Sequence, residues 1–111
     1  MELYYYKAKV VSIYDGDTIT LDISLGFNHW IVQQRIRLFG INTPEIKGKE
    51  RAKGLIARNR LVELIENKEV VLLSHKDKRG KFGRLLGTIF YNGENINQLL
   101  VDEGLAKEYL A

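Results

Sequence analysis

Between Thr18 and Leu25 polar and apolar side chains alternate without a break. Ile19, Leu21, Ile23 and Leu25 fall on one face, and Thr18, Thr20, Asp22 and Ser24 on the other, which is the period of a half-buried strand. Residues 4–13 (YYYKAKVVSI) are rich in aromatic and branched side chains and predict a strand before it. Gly26-Phe27-Asn28 supplies a turn, and a third strand is predicted from Trp30 to Phe39. On that strand Trp30, Val32, Ile36 and Leu38 share a face, which leaves Arg35 and Arg37 on the opposite one. The pattern changes after Pro44, which pushes Thr43 out of helical geometry and calls for a loop. Residues 51–66 then place Leu55, Ala57, Leu61, Val62, Leu64 and Ile65 at three- and four-residue spacings, an amphipathic helix. Val70 to Leu73 and Leu85 to Tyr91 read as two further strands, and Asn92-Gly93 is a strong hairpin signal. Asn95 is placed to cap a second helix, with Gln98 three residues on, an Ile96–Leu99–Leu100 face and Gly104 as the stop.

The order is therefore three strands, helix, two strands, helix. No helix crosses between the first three strands, so a small closed sheet with helices packed outside fits better than a doubly wound parallel sheet. With 111 residues, 45% apolar, and a single proline, the chain suits one domain over residues 1–111 and not a disordered tail. Repeats and linkers are absent. The lack of cysteine removes disulfide frameworks, thiolate metal sites and cysteine nucleophiles together. No apolar run approaches the roughly 20 residues of a membrane span, and the start, MELYYYKAKV, has no signal-peptide hydrophobic region. No membrane partner is expected; the chain as written reads as cytoplasmic, or as secreted had an export signal been removed.

Seventeen basic and fourteen acidic residues leave a net charge of +3, which alone says little. The distribution says more, because Lys47, Lys49, Arg51 and Lys53 crowd one stretch and Lys76, Lys78, Arg79, Lys81 and Arg84 another. Segregated charge of this kind suits a polyanionic partner, or simply two solvated loops.

Three clusters could carry chemistry. Asp15-Gly16-Asp17-Thr18 sets two carboxylates about a glycine, a corner where both acids can converge on a hard cation; the same residues also make an ordinary hairpin turn. The second cluster, Arg37-Leu38-Phe39-Gly40-Ile41-Asn42-Thr43-Pro44-Glu45, combines an arginine on a strand with an amide, a carbonyl and a carboxylate in the following loop. That suits phosphate chemistry or a surface ion pair. In the third, Lys78-Arg79-Gly80-Lys81-Phe82-Gly83-Arg84, glycines stand beside cations just before a strand, as in an anion-binding loop or an exposed turn. His29 and His75 are single and far apart, and no role is assigned to either.

The order of these clusters is more informative than any one of them. DGDT, then R-L-x-G-I-x-T-P-E, a helix, F-G-R-L-L, and N-x-x-L-V-x-x-G-L-A-x-x-Y resembles the staphylococcal nuclease (thermonuclease) family from about residue 8 to 109. The resemblance implies an α+β chain: an OB-fold, that is, a five-stranded Greek-key β-barrel, with two packed helices. The chain stops at Ala111, so the family's third, C-terminal helix is expected to be absent. Position by position, the resemblance makes Asp17 a calcium ligand, Thr43 a ligand through its backbone carbonyl, Asn42 the occupant of a second carboxylate ligand's place, and Asp15 an outer acid acting through water. Glu45 matches the general base, and Arg37 and Arg84 the two phosphate-binding arginines. Lys81, Phe82 and Tyr109 fall where substrate contacts are expected.

The implied activity is Ca2+-dependent hydrolysis of phosphodiesters in DNA and RNA, single-stranded or locally melted, by a monomer that leaves 3′-phosphate ends. The alternative is a catalytically weak or inactive module of the same fold that binds nucleic acid or a peptide. Two departures bear on the choice. Asn42 is neutral where the family's best-known form is charged, although an amide oxygen remains a legitimate calcium ligand. Phe82 stands where a tyrosine is common and loses a hydroxyl that could bond a phosphate.

Overall fold

Strand β1, Tyr4–Asp15, is long enough to serve two neighbours. Its second half, Ala8 to Asp15, pairs antiparallel with β2 (Thr18–Gly26), and its first half, Tyr4 to Lys9, pairs antiparallel with β5 (Glu69–His75). β2 turns back into β3 (His29–Leu38), and β5 pairs antiparallel with β6 (Leu85–Tyr91). β6 then runs parallel to β3, with Ile36 opposite Leu85, Arg37 opposite Leu86 and Leu38 opposite Gly87. That seam closes five strands into a mixed barrel, the expected OB-fold. The computed structural model describes residues 4–75 and 85–109. Lys81, Phe82 and Arg84 lie outside the described residues.

Helix α1 (Arg51–Ile65) lies across β1 and buries Gly54, Ala57, Leu61 and Ile65, a strip at three- and four-residue spacing. Leu55, Val62 and Leu64 are half-buried at its edges. Val10, Ile19, Leu21, Ile36, Leu38, Leu72 and Ile89 fill the barrel from its five strands. Helix α2 (Ile96–Asp102) starts as the sequence implies: the Asn95 side chain accepts the Gln98 N–H at 3.0 Å. Gln98 does not reach back to complete a capping box; its amide donates to Asp102 at 2.9 Å. Gly104 ends the helix with φ +77°, the left-handed conformation glycine adopts freely. Among the described residues no helix is long and apolar enough to cross a membrane.

β3 departs from its simple alternation. Leu21 faces Gln34 but Ile23 faces Ile31, so Val32 and Gln33 share the place opposite Asp22. Gln33 has φ +53°, and its N–H donates to the Asp22 carboxylate at 2.8 Å. This bulge resets the strand's phase. Trp30 and Val32 are therefore exposed and do not share the core face of Ile36 and Leu38. Leu25 is exposed as well, and at the hairpin tip Phe27 is 97% exposed. Two-residue strands β4 (Ile41–Asn42) and β8 (Lys107–Glu108) pair with each other; they are too short for any hydrophobic period to reveal. β7 (Glu94–Asn95) extends the Asn92-Gly93 hairpin.

The β3–β6 seam is held by a side chain from α2. Asn97, buried, donates to the carbonyls of Phe39 at 2.9 Å and Gly87 at 3.1 Å, and its oxygen accepts the Ile89 N–H at 3.1 Å. Asn97→Ala removes the side-chain partner of the Phe39 carbonyl and the Ile89 N–H, each costing about 1–3 kcal/mol when buried and unsatisfied, while the Gly87 carbonyl keeps the Phe39 N–H at 2.8 Å. A loss on the order of 3 kcal/mol or more is expected in urea unfolding, and a loss under ~1 kcal/mol would show that the seam stands without it.

His75 stacks on Phe39 with centroids 4.0 Å apart and 7° between planes, and its Nε2 lies 2.8 Å from Thr88 Oγ1. Burial lowers its pKa below the ordinary 6.5. The unfolded chain then binds the proton more tightly, so the neutral ring's contribution is complete above 6.5 and is lost as pH falls through the folded value. Thermal melts from pH 7 to 5 should fall more steeply for the wild type than for His75→Phe, which keeps the stack without the titration. Parallel curves would contradict this.

Candidate active site

The β1–β2 turn brings Asp17 to the mouth of the barrel, where it is buried. One oxygen, Oδ2, accepts Arg37 Nη1 at 2.8 Å and the Thr43 backbone N–H at 3.0 Å. The other, Oδ1, accepts the Thr18 hydroxyl at 3.2 Å. Three separate stretches are gathered on one carboxylate. Arg37 is the residue on β3 below the bulge, and its Nη2 also donates to the Ile41 carbonyl at 3.2 Å and to Asn42 Oδ1 at 3.3 Å. The guanidinium is thus braced on three sides.

Asp15 accepts the Asp17 N–H at 3.1 Å. Burial, then hydrogen bonding to Asp17 and its negative charge, push the Asp15 pKa up to about 6. Burial also favours neutral Asp17, but hydrogen bonds from Asp15, the Thr43 N–H and Arg37, with the arginine's charge, outweigh it and hold Asp17 below the usual carboxylate range.

Asp15, Asp17, Asn42 and Thr43, Arg37 and Glu45 all line one cleft of about 240 Å³, with Tyr14, Thr18 and Arg35. Six of the site residues expected from sequence are thereby brought together. Glu45 is exposed at the rim, and its carboxylate takes no hydrogen bond from the described residues. Tyr109, 50% exposed, lies beside the cleft in an adjoining apolar hollow, its ring 6.0 Å from Arg37 Cζ.

The donors facing the cleft beside the arginines are oxygens, which suits a hard cation such as Ca2+ and not zinc. Thr43 Oγ1, buried against Gly16, has no hydrogen-bond partner, and the paired carboxyls of Asp15 and Asp17 would be relieved by positive charge. No group of three or more His, Cys, Asp or Glu is placed to hold a metal among the described residues, so amide, hydroxyl and backbone oxygens must make up any such set.

Two residues that periodicity passes over position this site. A Cβ on Gly54, in α1, would collide with the backbone carbonyl of Glu45, and one on Gly16 would meet the Thr43 side chain at 2.8 Å and Ala57 Cβ at 2.9 Å. The Thr43–Glu45 loop and α1 are packed backbone to backbone, and the turn's backbone lies directly against the Thr43 and Ala57 side chains. The available signal was a glycine inside a helix, where it costs about 1 kcal/mol against alanine. Arg35, absent from the motif, also enters the cleft.

Residues 35–111 match the family model described as staphylococcal nuclease homologue. The chain belongs to the staphylococcal nuclease family. It is similar to a thermonuclease of Staphylococcus hyicus, 31% identical over 102 residues that cover 89% of this chain and 57% of that protein. An uncharacterized endonuclease of Haemophilus influenzae is 36% identical over 101 residues, 91% of this chain and 51% of the relative. A staphylococcal-like nuclease of Arabidopsis thaliana is 36% identical over 80 residues, 69% of this chain and 22% of the relative. The chain spans well under two thirds of the length of these relatives.

Gly54→Ala supplies a test of the packing with a definite sign. At an ordinary helix position the change stabilises by about 0.5–1 kcal/mol; here it should destabilise and shift the amide resonances of Thr43 and Glu45. A raised thermal midpoint would contradict the close approach.

Proposed function

We propose that this chain is a Ca2+-dependent nuclease that hydrolyses phosphodiester bonds of DNA and RNA, leaving 3′-phosphate ends. One observation carries the reading: a braced guanidinium, Arg37, and a carboxylate, Glu45, that is unengaged among the described residues line the same cleft. The family relationship supports the same conclusion.

In such a reaction water attacks phosphorus while the bond from phosphorus to the 5′ oxygen breaks, and that oxygen takes a proton from solvent to leave as a hydroxyl. Water is a poor nucleophile at neutral pH, and Glu45 is the group able to take its proton onto a carboxylate oxygen. Negative charge grows on the non-bridging phosphate oxygens, where the Arg37 guanidinium, and by the family resemblance that of Arg84, would supply N–H donors. Asp17 keeps Arg37 oriented before substrate arrives, so little reorganisation is required. Asp15, Asp17, Asn42 and Thr43 would hold Ca2+, which when bound supplies further neutralisation of phosphate charge.

A second reading, a nucleic-acid- or peptide-binding module, draws on the 2.8 Å Asp17–Arg37 pair and the neutral Asn42. It predicts binding without cleavage.

The wild type should release acid-soluble nucleotides from single-stranded DNA with Ca2+ and none with a chelator. Glu45→Gln should lower turnover by on the order of 10²–10⁴-fold while nucleotide affinity persists. Full activity in that variant would remove Glu45 as the base, and strand binding with no cleavage in Ca2+ would favour the second reading.

A further inference from the structure

The two guanidiniums that line the described cleft are in different electrostatic states. Arg37 is tied to Asp17 at 2.8 Å and is only 19% exposed, so much of its charge is already answered. Arg35 is exposed and makes no ion pair and no guanidinium hydrogen bond among the described residues. Its Cζ lies 5.0 Å from the centroid of the Tyr14 ring, within range of a cation–π contact.

Tyr14 is in place because of an irregularity in β1. Ile13 faces Ile19 and Asp15 faces Thr18, so Tyr14 is the extra residue of a bulge, a feature that re-aims side chains beside sites. Arg35 faces Thr20 across β2 and is two residues before Arg37 on the same side of β3. Side chains two apart on a strand are spaced by about 7 Å, which is comparable with the separation of consecutive phosphates along an extended polynucleotide strand.

We propose that Arg35, laid on Tyr14, is a phosphate-binding subsite for the nucleotide next to the one held at Arg37. The assignment deepens the nuclease reading and rests on it for the identity of the ligand. It makes the preferred ligand an oligonucleotide backbone with at least two phosphates. Tyr14 contributes by holding an otherwise free side chain flat, which lowers the entropy lost when a phosphate docks.

The test is fluorescence anisotropy of a labelled single-stranded oligothymidylate, with chelator to prevent cleavage, across a salt series. Arg35→Gln should weaken binding on the order of tenfold at low salt and reduce the log–log salt slope by about 0.7, the loss of one phosphate contact on a single strand. Arg35→Lys should keep the slope. Tyr14→Leu should reproduce part of the affinity loss and Tyr14→Phe should not. With a one-phosphate mononucleotide the Arg35→Gln loss should be about tenfold smaller than with the oligonucleotide. An unchanged slope in Arg35→Gln overturns the subsite, as does failure of the wild type to bind the strand. Equal losses with mononucleotide and oligonucleotide put Arg35 on the same phosphate as Arg37 and also overturn it. A wild type that binds with the expected slope but cleaves nothing in Ca2+ removes the nuclease reading and leaves the subsite standing; cleavage with an unchanged slope does the reverse.

Discussion

The Asp17 carboxylate is the junction on which the candidate site depends. Its hydrogen bonds arrive from residues 18, 37 and 43, which belong to two paired strands, β2 and β3, and to a loop that their ladder does not include. A buried charge tolerates this position only because every partner is present; losing one would leave an uncompensated ion on the other side. The same bonds that keep Asp17 ionised also fix the direction of Arg37 and the start of the loop that carries Glu45. Folding and chemistry therefore use the same contacts here, and the barrel's mouth is pre-arranged for an anion.

Close backbone approach is the second constraint. Gly16 and Gly54 remove the two side chains that would keep turn, loop and helix apart, and at the seam Gly87 does the same beneath Leu72. Such positions give up helix or strand propensity in return for proximity. Asn97 then replaces the hydrogen bonds that a continuous sheet would have made at the closure. The scaffold is rigid where the site is built because polar groups of the backbone are satisfied by particular side chains, and not because the core is large.

Much of this was readable from residue order. The alternation from Thr18 to Ile23, the helical spacing of Ala57, Leu61 and Ile65, and the Asn95 cap each express a period or a capping rule that acts locally. The motifs placed Asp15, Asp17, Arg37, Asn42, Thr43 and Glu45 at one site, and they line one cleft. What escaped depends on partners distant in sequence. The phase change at Gln33 requires Asp22 across the strand, the strands at 41–42 and 107–108 exist only through each other, and the need for glycine at residue 54 is set by a carbonyl nine residues earlier. Arg35 was passed over because a motif identifies shared positions, whereas exposure, pairing and the Tyr14 ring belong to this chain.

The bulge locked by Asp22 also divides the β2–β3 hairpin into two parts with separate obligations. Inside it, residues 34–37 keep strict register against residues 18–21 and carry both cleft arginines. Outside it, the arm bearing Phe27 and Trp30 sits in solvent and transmits no register inward, since the phase is reset at Gln33. Arm length is therefore free to change, by insertion or trimming at the tip, while the cleft keeps its geometry. The molecule has in effect a modular appendage, on which a new recognition element could be installed without redesigning the site.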